Sequence, residues 1–409
     1  NADEGDPGAF MNRSLIEGDT HAVLEGMVIA GYAIGAGKGY VYCRAEYPLA
    51  IERFNIALAD MRKYGLLGNN ILGSGFSFDI EIKKGAGALV CGEETALISS
   101  IMGERGMPRA KPPYPAQEGV WGKPTIVNNV ETLGTVPVIL NKKPKWYRQY
   151  GTENSKGTKT FSLSGAVKRT GLIEVPLGTT LRQVIYDIGG GIADDKKFKA
   201  IQVGGPSGGS IPESFLHTPL DYDELEKLDA ILGIGGLVVV DEDTCIIDLT
   251  RYSLFFQHSE SCGKCVPCRI GNKQLLNLLE KIITGKGSIE DFELLEELTY
   301  TIKEGSLCGL GKSAPNSVIT SLAYFRDEYE SHVIDKRCPA KVCKEMFYYK
   351  VDKETCIGCQ ICSRRCPVKA IIGEKKAPHE IIQEKCIKCD VCFNDCPSKA
   401  IKKFDKVVA

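Results

Sequence analysis

The chain carries almost no net charge. Lys and Arg number 51 against 52 Asp and Glu, which leaves −1 at pH 7. Nothing global therefore points to nucleic acid, whose recognition rests on a basic face. No apolar run approaches the roughly 18 residues that a membrane span requires, so no membrane insertion is expected. No secretory signal peptide is expected. The chain opens Asn1-Ala2-Asp3 without a methionine, so an N-terminal piece is expected to be missing from it. A P-loop is lacking as well: GLGKS ends like one, but the first glycine of G-x-x-x-x-G-K-[ST] falls on Ser306. So is a dinucleotide fingerprint, because the glycine spacing of GAGKGY at 35–40 is wrong.

What is abundant is cysteine, seventeen in 409 residues. Clustered spacing, chain length and the lack of a secretory signal favour metal in a reducing cytoplasm over disulfides. Three C-x-x-C-x-x-C triplets stand out: Cys262/Cys265/Cys268, Cys356/Cys359/Cys362 and Cys386/Cys389/Cys392. Each has a fourth cysteine farther along. Thiolates at that spacing on a tight turn can wrap an iron–sulfur cube.

CIGCQICSRRCPVKAI matches CIKCDVCFNDCPSKAI almost position by position, so the last third contains an internal repeat. The run C-x2-C-x2-C-x3-C-P occurs twice and resembles the bacterial two-cluster ferredoxin. The resemblance implies one [4Fe–4S] cluster on Cys356, Cys359, Cys362 and Cys396, and another on Cys386, Cys389, Cys392 and Cys366. The plainer account is a pair of zinc knuckles, but zinc prefers two spaced cysteine pairs to four-cysteine runs. SCGKCVPCRIG with Cys308 in SLCGLGK is less specific alone, and zinc or a redox thiol pair would also fit it.

The length allows two to four domains at about 150 residues each. Residues 1–150 alternate apolar runs with Gly-rich turns. GYVYCRAEYP and FSFDIEIKKG read as strands. IERFNIALADMRKYG reads as an amphipathic helix with Ile51, Phe54, Leu58 and Met61 on one face, and EETALISSIMGERG as another helix. This predicts a layered α/β domain. Residues 151–245 read as a small α+β module: KTFSLSGAV, GLIEVPLGT and KAIQVGGPSGG as strands, LRQVIYDIG as a helix, and LVVVDEDTCIIDL as a further apolar strand region. Residues 246–334 show helical periodicity and predict a bundle. Residues 335–350 read as a Lys- and Cys-rich linker, and 351–409 as the ferredoxin-like α+β domain.

NADEGDPGAF, GAGALVCGEETAL, KPPYPAQEGVWGKPTIVNNVETL and SCGKCVPCR stand in that order. Together they resemble the flavin- and NADH-binding subunit of respiratory complex I and its relatives in soluble hydrogenases and formate dehydrogenases. The appended ferredoxin is similar to that of the NAD(H)-handling subunit of electron-bifurcating multi-subunit hydrogenases and related oxidoreductases. The resemblance implies an FMN-binding α/β core, a ubiquitin-like SLBB module and a [4Fe–4S] cluster on Cys262, Cys265, Cys268 and Cys308, which makes three [4Fe–4S] clusters in all. It carries FMN contacts onto Asn1, Asp3 and Glu4, onto Gly92, Glu93 and Thr95, and onto Asn128, Asn129 and Thr132. It sets Glu94, Lys111 and Tyr114 beside NAD(H) or NADP(H).

The chemistry agrees: amides at a helix start favour phosphate, Asn and acids can bond flavin polar edges, and an aromatic ring can stack on nicotinamide. Helix capping would equally explain Glu93, Glu94, Asn128 and Asn129, an acidic turn NADEGDPG, and core packing between prolines Tyr114. Two departures stand out. The family's glycine-rich loop G-R-G-G-A-G-F-P, which would precede Asn1, is absent, and position 89 is Leu where complex I relatives often carry Tyr.

The resemblance also implies a thioredoxin-like [2Fe–2S] subunit, a larger catalytic iron–sulfur subunit of hydrogenase or dehydrogenase type, and ferredoxin as partners. No residue here could host hydrogenase or formate chemistry. Alternatives are a non-bifurcating formate dehydrogenase or hydrogenase subunit, and a cluster-carrying scaffold without active FMN. Cys245, His332, Cys338 and Cys343 remain over, and tetrahedral zinc accepts Cys3His. A structural zinc pinning the tail is expected there; free linker cysteines and an exposed histidine are the plainer account. Cys43 and Cys91 have no partner set. From Cys338 onward fifteen Lys and Arg face nine Asp and Glu, a surface suited to an acidic ferredoxin or a simple offset to anionic clusters.

Overall fold

A computed structural model of the chain describes residues 1–406. The chain divides into two compact units. One comprises 1–241, 253–274 and 298–320; the other comprises 242–252, 275–297 and the chain from 321 onward.

The first unit begins with two helices, Met11–Gly18 and Thr20–Ile34, that the sequence reading did not anticipate. The side chain of Asp19 caps the second by accepting from Ala22 N. Strands β1 (Lys38–Arg44) and β2 (Asp79–Gly85) pair in parallel, Lys38 opposite Asp79. A parallel pair needs a crossover, and the helix Pro48–Lys63 supplies it, with Pro at its first turn. Its buried face holds Ile51, Phe54, Leu58 and Met61, as the periodicity predicts. Ala2 bridges to Cys43 alongside β1, its N–H donating to Tyr42 O at 2.9 Å, which fixes the path of residues 1–3. Helix Val130–Lys142 packs against Thr20–Ile34. Gly26 makes that approach feasible, because a Cβ there would strike the backbone of Leu133.

A five-stranded sheet follows, formed by β3 (Thr158–Gly165), β4 (Gly171–Pro176), β5 (Phe198–Val203), β6 (Gly209–Pro212) and β7 (Gly236–Asp241). Its order is β4-β3-β7-β5-β6, with β3 and β7 parallel and the other neighbours antiparallel. A helical segment, Gln183–Ile188, closes a core that includes Phe161, Leu163, Ile201, Leu237 and Val239. One expectation needs correction. The apolar run 237–249 is not one strand: β7 stops at Asp241, and Ile246 opens the helix Ile246–Ser259. Short apolar runs with β-branched residues are ambiguous between strand and helix. Helices Asn272–Ile283, Glu290–Gly305, Gly309–Ser313, Asn316–Tyr324 and Arg326–Val333 then fill the region expected to be helical.

In the second unit β8 (Phe347–Val351) begins inside the stretch expected as linker. Its alternating buried positions, Phe347, Tyr349 and Val351, explain why it forms a strand. Strand β9 (Ile371–Ile372) pairs antiparallel with β10 (Glu380–Ile381), and β8 pairs antiparallel with β11 (Ile401–Asp405). Two one-turn helices, Ile361–Arg365 and Val391–Asn394, complete this part. Its core adds the cysteines Cys362 and Cys392 to a few apolar side chains. Among the described residues no helix is long and apolar enough to cross a membrane.

Candidate functional site

In the first unit, folding brings Asn1, Asp3, Gly92 and Asn128 together. The Asn1 amide donates to Gly92 O at 3.0 Å and its Oδ1 accepts from Asp3 N at 2.9 Å. Asn1 N donates to Asn128 O at 2.8 Å, and Val130 N donates to Asn1 O at 3.1 Å. The Arg44 guanidinium holds Asp3 Oδ1 at 3.1 Å, whereas Asp3 Oδ2 is buried and has no protein partner. Burial pushes the Asp3 carboxyl up to about 6, against the opposing pull of Arg44. A Cβ on Gly92 would meet only Asp3, no closer than 3.8 Å, so the backbone lies open on that side. An orphaned acceptor beside an open glycine edge fits a hydrogen-bonding ligand.

Helix Glu94–Ile101 starts at this edge. Glu93 caps it, accepting from Thr95 N at 2.8 Å, from Ala96 N at 3.0 Å and from the Thr95 hydroxyl. Thr95 is buried and accepts from Arg109 N at 3.0 Å. Lys111 pairs with Glu94 and lies 3.5 Å from Glu93. Tyr114 is 54% exposed, so its ring is not core packing.

The remaining expected flavin contacts lie apart from this group. The Glu4 carboxylate accepts from Asn12 N at 3.1 Å and Arg13 N at 3.2 Å, at the start of the first helix. Asn129 caps helix Val130–Lys142 by accepting from Glu131 N at 2.8 Å. Asn129 and Thr132 line a cavity of about 550 Å³ together with Asn12 and Lys159. Asn1 and Asn128 line a different, mostly apolar cavity of about 420 Å³ with Tyr40, Leu97 and Trp121.

Cys262, Cys265, Cys268 and Cys308 also belong to the first unit. A helical turn, Pro267–Gly271, carries Cys268, and Cys308 precedes helix Gly309–Ser313. Gly311 allows the close approach, since a Cβ there would lie 3.1 Å from that of Cys268. Burial pushes the Cys268 thiol up to about 11. The Ser261 hydroxyl, 3.2 Å away, opposes this, and the charges of Cys265, Cys308 and Cys262 add to it. Thiols so placed release their protons to a cation. Cys262 and Leu310 pack against the core of Val90, Ala96, Leu97 and Ile98, directly beneath the helix that Glu93 caps.

In the second unit two cavities are lined by cysteines. One has Cys356, Cys359, Cys362 and Cys396 on its wall; the other has Cys386, Cys389, Cys392 and Cys366. These are the crosswise sets the ferredoxin resemblance implies, and a space among four sulfurs fits an inorganic core. The backbone N–H of Ala370 donates to Cys366 Sγ and that of Ala400 to Cys396 Sγ, each at 3.2 Å. Burial, then Cys386 and its neighbours, pushes the Cys392 thiol up to about 12.

Cys245, His332, Cys338 and Cys343 form a fourth group, fully buried, with all four candidate ligand atoms within 4.8 Å of one another. Cys245 Sγ lies 3.7 Å from Cys343 Sγ and 3.5 Å from His332 Nε2, which lies 3.3 Å from Cys343 Sγ. The plainer account, an exposed histidine beside linker cysteines, is corrected on one point: His332 is buried, as are the three cysteines. His332 Nδ1 bonds Glu328 O at 2.7 Å, which turns Nε2 toward the sulfurs.

The sequence reading missed Arg44, Glu260, which accepts from Leu89 N at 2.8 Å, and His379. The first two act across long sequence separations and leave no local signal.

A polar pocket at a capped helix, one cysteine set packed beneath it and two more in a ferredoxin-like tail define an iron–sulfur flavoprotein. Family models match in the same order: Nuo51 FMN-binding domain over 1–138, SLBB domain over 160–210, NADH-ubiquinone oxidoreductase-F iron-sulfur binding region over 248–332, and 4Fe-4S dicluster domain over 349–403. The NADP-reducing hydrogenase subunit HndC of Solidesulfovibrio fructosivorans is 54% identical over 93% of this chain and 77% of its own. An NADH-quinone oxidoreductase subunit of Aquifex aeolicus is 44% identical over 81% of this chain and 76% of its own. The crystal structure of an NAD+-reducing [NiFe]-hydrogenase in the H2-reduced state matches with a TM-score of 0.74 and 36% identity, covering 81% of this chain and 56% of that one. The chain belongs to the family of NADH-binding flavin iron–sulfur subunits, the complex I 51 kDa-like proteins, and is an oxidoreductase subunit.

Proposed function

We propose that this chain is the flavin iron–sulfur subunit of a cytoplasmic multi-subunit oxidoreductase that exchanges a hydride with NAD(P)(H), passes single electrons through three [4Fe–4S] clusters and takes part in flavin-based electron bifurcation with ferredoxin. The observation that carries it is the packing of Cys262 against the helix whose start is edged by Gly92, Glu93 and Asp3. When bound, FMN would supply the exchange between a two-electron hydride and one-electron carriers.

The chain's own residues bind and orient. Asn1, Asp3, Gly92 and Asn128 offer polar contacts to a flavin, with Asp3 Oδ2 free to accept. Glu93 and Glu94 hold Lys111 at the pocket rim, where it can meet a pyrophosphate, and the exposed Tyr114 ring can stack on a base or nicotinamide. Glu4 serves the same site indirectly by fixing the first helix, as do Thr95, Asn129 and Thr132 from their caps and cavity walls. The cysteine set beside the pocket would serve one electron branch and the two sets in the tail a second, the number that bifurcation requires. The hydrogenase or dehydrogenase chemistry would reside in a larger catalytic iron–sulfur subunit, assembled with a thioredoxin-like [2Fe–2S] subunit.

Zinc is proposed at Cys245, His332, Cys338 and Cys343. With zinc–sulfur bonds of about 2.3 Å, two sulfurs of a tetrahedron lie roughly 3.8 Å apart, close to the separation of Cys245 and Cys343. Metal analysis should return zinc beside iron; iron alone would remove the zinc assignment. For the function, the assembled complex is assayed for ferredoxin-dependent NAD(P)+ reduction with and without a second acceptor, and extracted flavin is measured by fluorescence. Coupled turnover that stops without either acceptor is expected. Uncoupled reduction would reassign the tail to a simple relay, and absence of flavin would leave a scaffold.

A further inference from the structure

The tail repeat has an inexact symmetry, and its one buried histidine sits where the two halves differ. Cysteines of the two runs stand thirty residues apart, and the same step carries Tyr349 onto His379 and Val368 onto Ser398. Tyr349 lines the cavity of Cys386, Cys389, Cys392 and Cys366, whereas His379 lines that of Cys356, Cys359, Cys362 and Cys396. The Tyr349 hydroxyl is committed to Asp390. His379 is 2% exposed and neither of its ring nitrogens has a protein partner. Gly373 makes room for it, since a Cβ there would lie 2.8 Å from the ring. The corresponding residue of the other half is Lys403, whose ammonium lies over the Phe347 ring.

A buried imidazole without a partner is costly unless a ligand satisfies it. The group that faces it is the four-sulfur cavity. Backbone donors treat the halves alike, because Ala370 and Ala400 each donate to one cysteine. Side-chain donors do not: Ser398 Oγ lies 3.7 Å from Cys396 Sγ, and the matching residue on the other side, Val368, has no donor. Lys388 lines the second cavity, but its ammonium bonds Lys344 O.

We propose that His379 donates a hydrogen bond to the cluster on Cys356, Cys359, Cys362 and Cys396 and sets its potential above that of its twin. The inference rests on the cluster assignment given above. Hydrogen bonds to sulfur favour the reduced, more negative core. One electron enters this cluster and one leaves, while the proton stays on His379. The positional consequence is an ordered tail: the electron rests on the His379 side, and the Tyr349 side is the stronger reductant.

The test is a redox titration of the full chain with its clusters in place, read by electron paramagnetic resonance, for wild type, His379→Gln and His379→Leu. In His379→Leu the reduced-to-oxidised ratio of one tail cluster should fall about tenfold at fixed potential, equivalent to 59 mV for one electron, with the other unmoved. His379→Gln, which keeps a donor, should recover most of this. Equal potentials in all three proteins would overturn the proposal. Should His379→Leu not assemble, wild type with 15N-labelled histidine decides: a weak nitrogen coupling to the reduced cluster supports it, and no coupling or the strong coupling of an iron ligand overturns it. Iron counts too low for two tail clusters in wild type would instead refute the cluster assignment itself.

Discussion

The polar pocket of the first unit and the metal-ligand sets of the second are built on opposite principles. In the pocket, Asn1, Asp3, Gly92, Asn128 and Arg44 come from separate stretches of chain, and each makes a few hydrogen bonds. In the tail, short turns present several sulfurs at once, and the Cys3His group closes to contact distance from one helix and two loops. A distributed site degrades gradually, because each contact contributes a small share. A coordination site fails as a whole, because an incomplete ligand set loses the ion.

The largest test of that contrast is Cys392→Ser. It should remove about four iron atoms per chain, since one [4Fe–4S] core is lost. The zinc content should be unchanged, because Cys392 lies in a separate set. Cys343→Ser should do the reverse: zinc is lost, iron stays near wild type, and thermal stability falls by on the order of 4 kcal/mol. Parallel loss of both metals in either variant would mean that the two kinds of site are one cooperative structure, and the contrast would break.

Lys111→Ala probes the distributed side. Losing a charged hydrogen bond to a dinucleotide phosphate, on the order of 1.5 kcal/mol, should raise the KM for NAD(P)H roughly tenfold and leave kcat nearly intact. Steady-state diaphorase kinetics on the purified chain, or its complex, report this split. Complete loss of activity would show that the pocket behaves like a coordination site after all.

The same contrast governs what is legible in the sequence. The cysteine triplets are readable because spacing fixes three sulfurs within one turn and a repeat displays the pattern twice, whereas the crosswise fourth cysteine comes only with the ferredoxin resemblance. Cys245, His332, Cys338 and Cys343 are readable as chemistry left over once the runs are assigned. Glu4 is not readable as a cap, because its partners, Asn12 and Arg13, lie eight and nine residues on. Arg44 closes on Asp3 across forty-one residues, which no local pattern records. The helices Met11–Gly18 and Thr20–Ile34 escape because the second, apolar on most sides, has little periodicity to detect. The run through Cys245 misleads for a related reason: CIIDL satisfies strand and helix equally, and only the turn after Asp241 separates them. His379 looks like a lone histidine, and only the thirty-residue step to Tyr349 marks it in the sequence.

The smallest effect concerns Asp6, three residues on from Asp3. Burial pushes its carboxyl up to about 6, and the charge of Glu4 adds to the rise. A carboxyl with a raised folded value keeps its proton in the folded state at a pH where the unfolded chain has released it. The folded state therefore binds the extra proton, and stability declines as pH rises from about 4, the ordinary aspartate value, through about 6. Asp6→Asn cannot ionise and should escape that decline. Its melting temperature should exceed that of wild type at pH 7.5, by on the order of 1 kcal/mol in stability once partial solvent screening is allowed for. The advantage should shrink at pH 5, where wild-type Asp6 is largely protonated. Asp3 makes a poorer probe, because its replacement also strips Arg44 of one of its partners. An equal gain at both pH values would mean that the asparagine improves packing rather than removing a buried charge. A loss at pH 7.5 would mean that ionised Asp6 is held by a favourable contact.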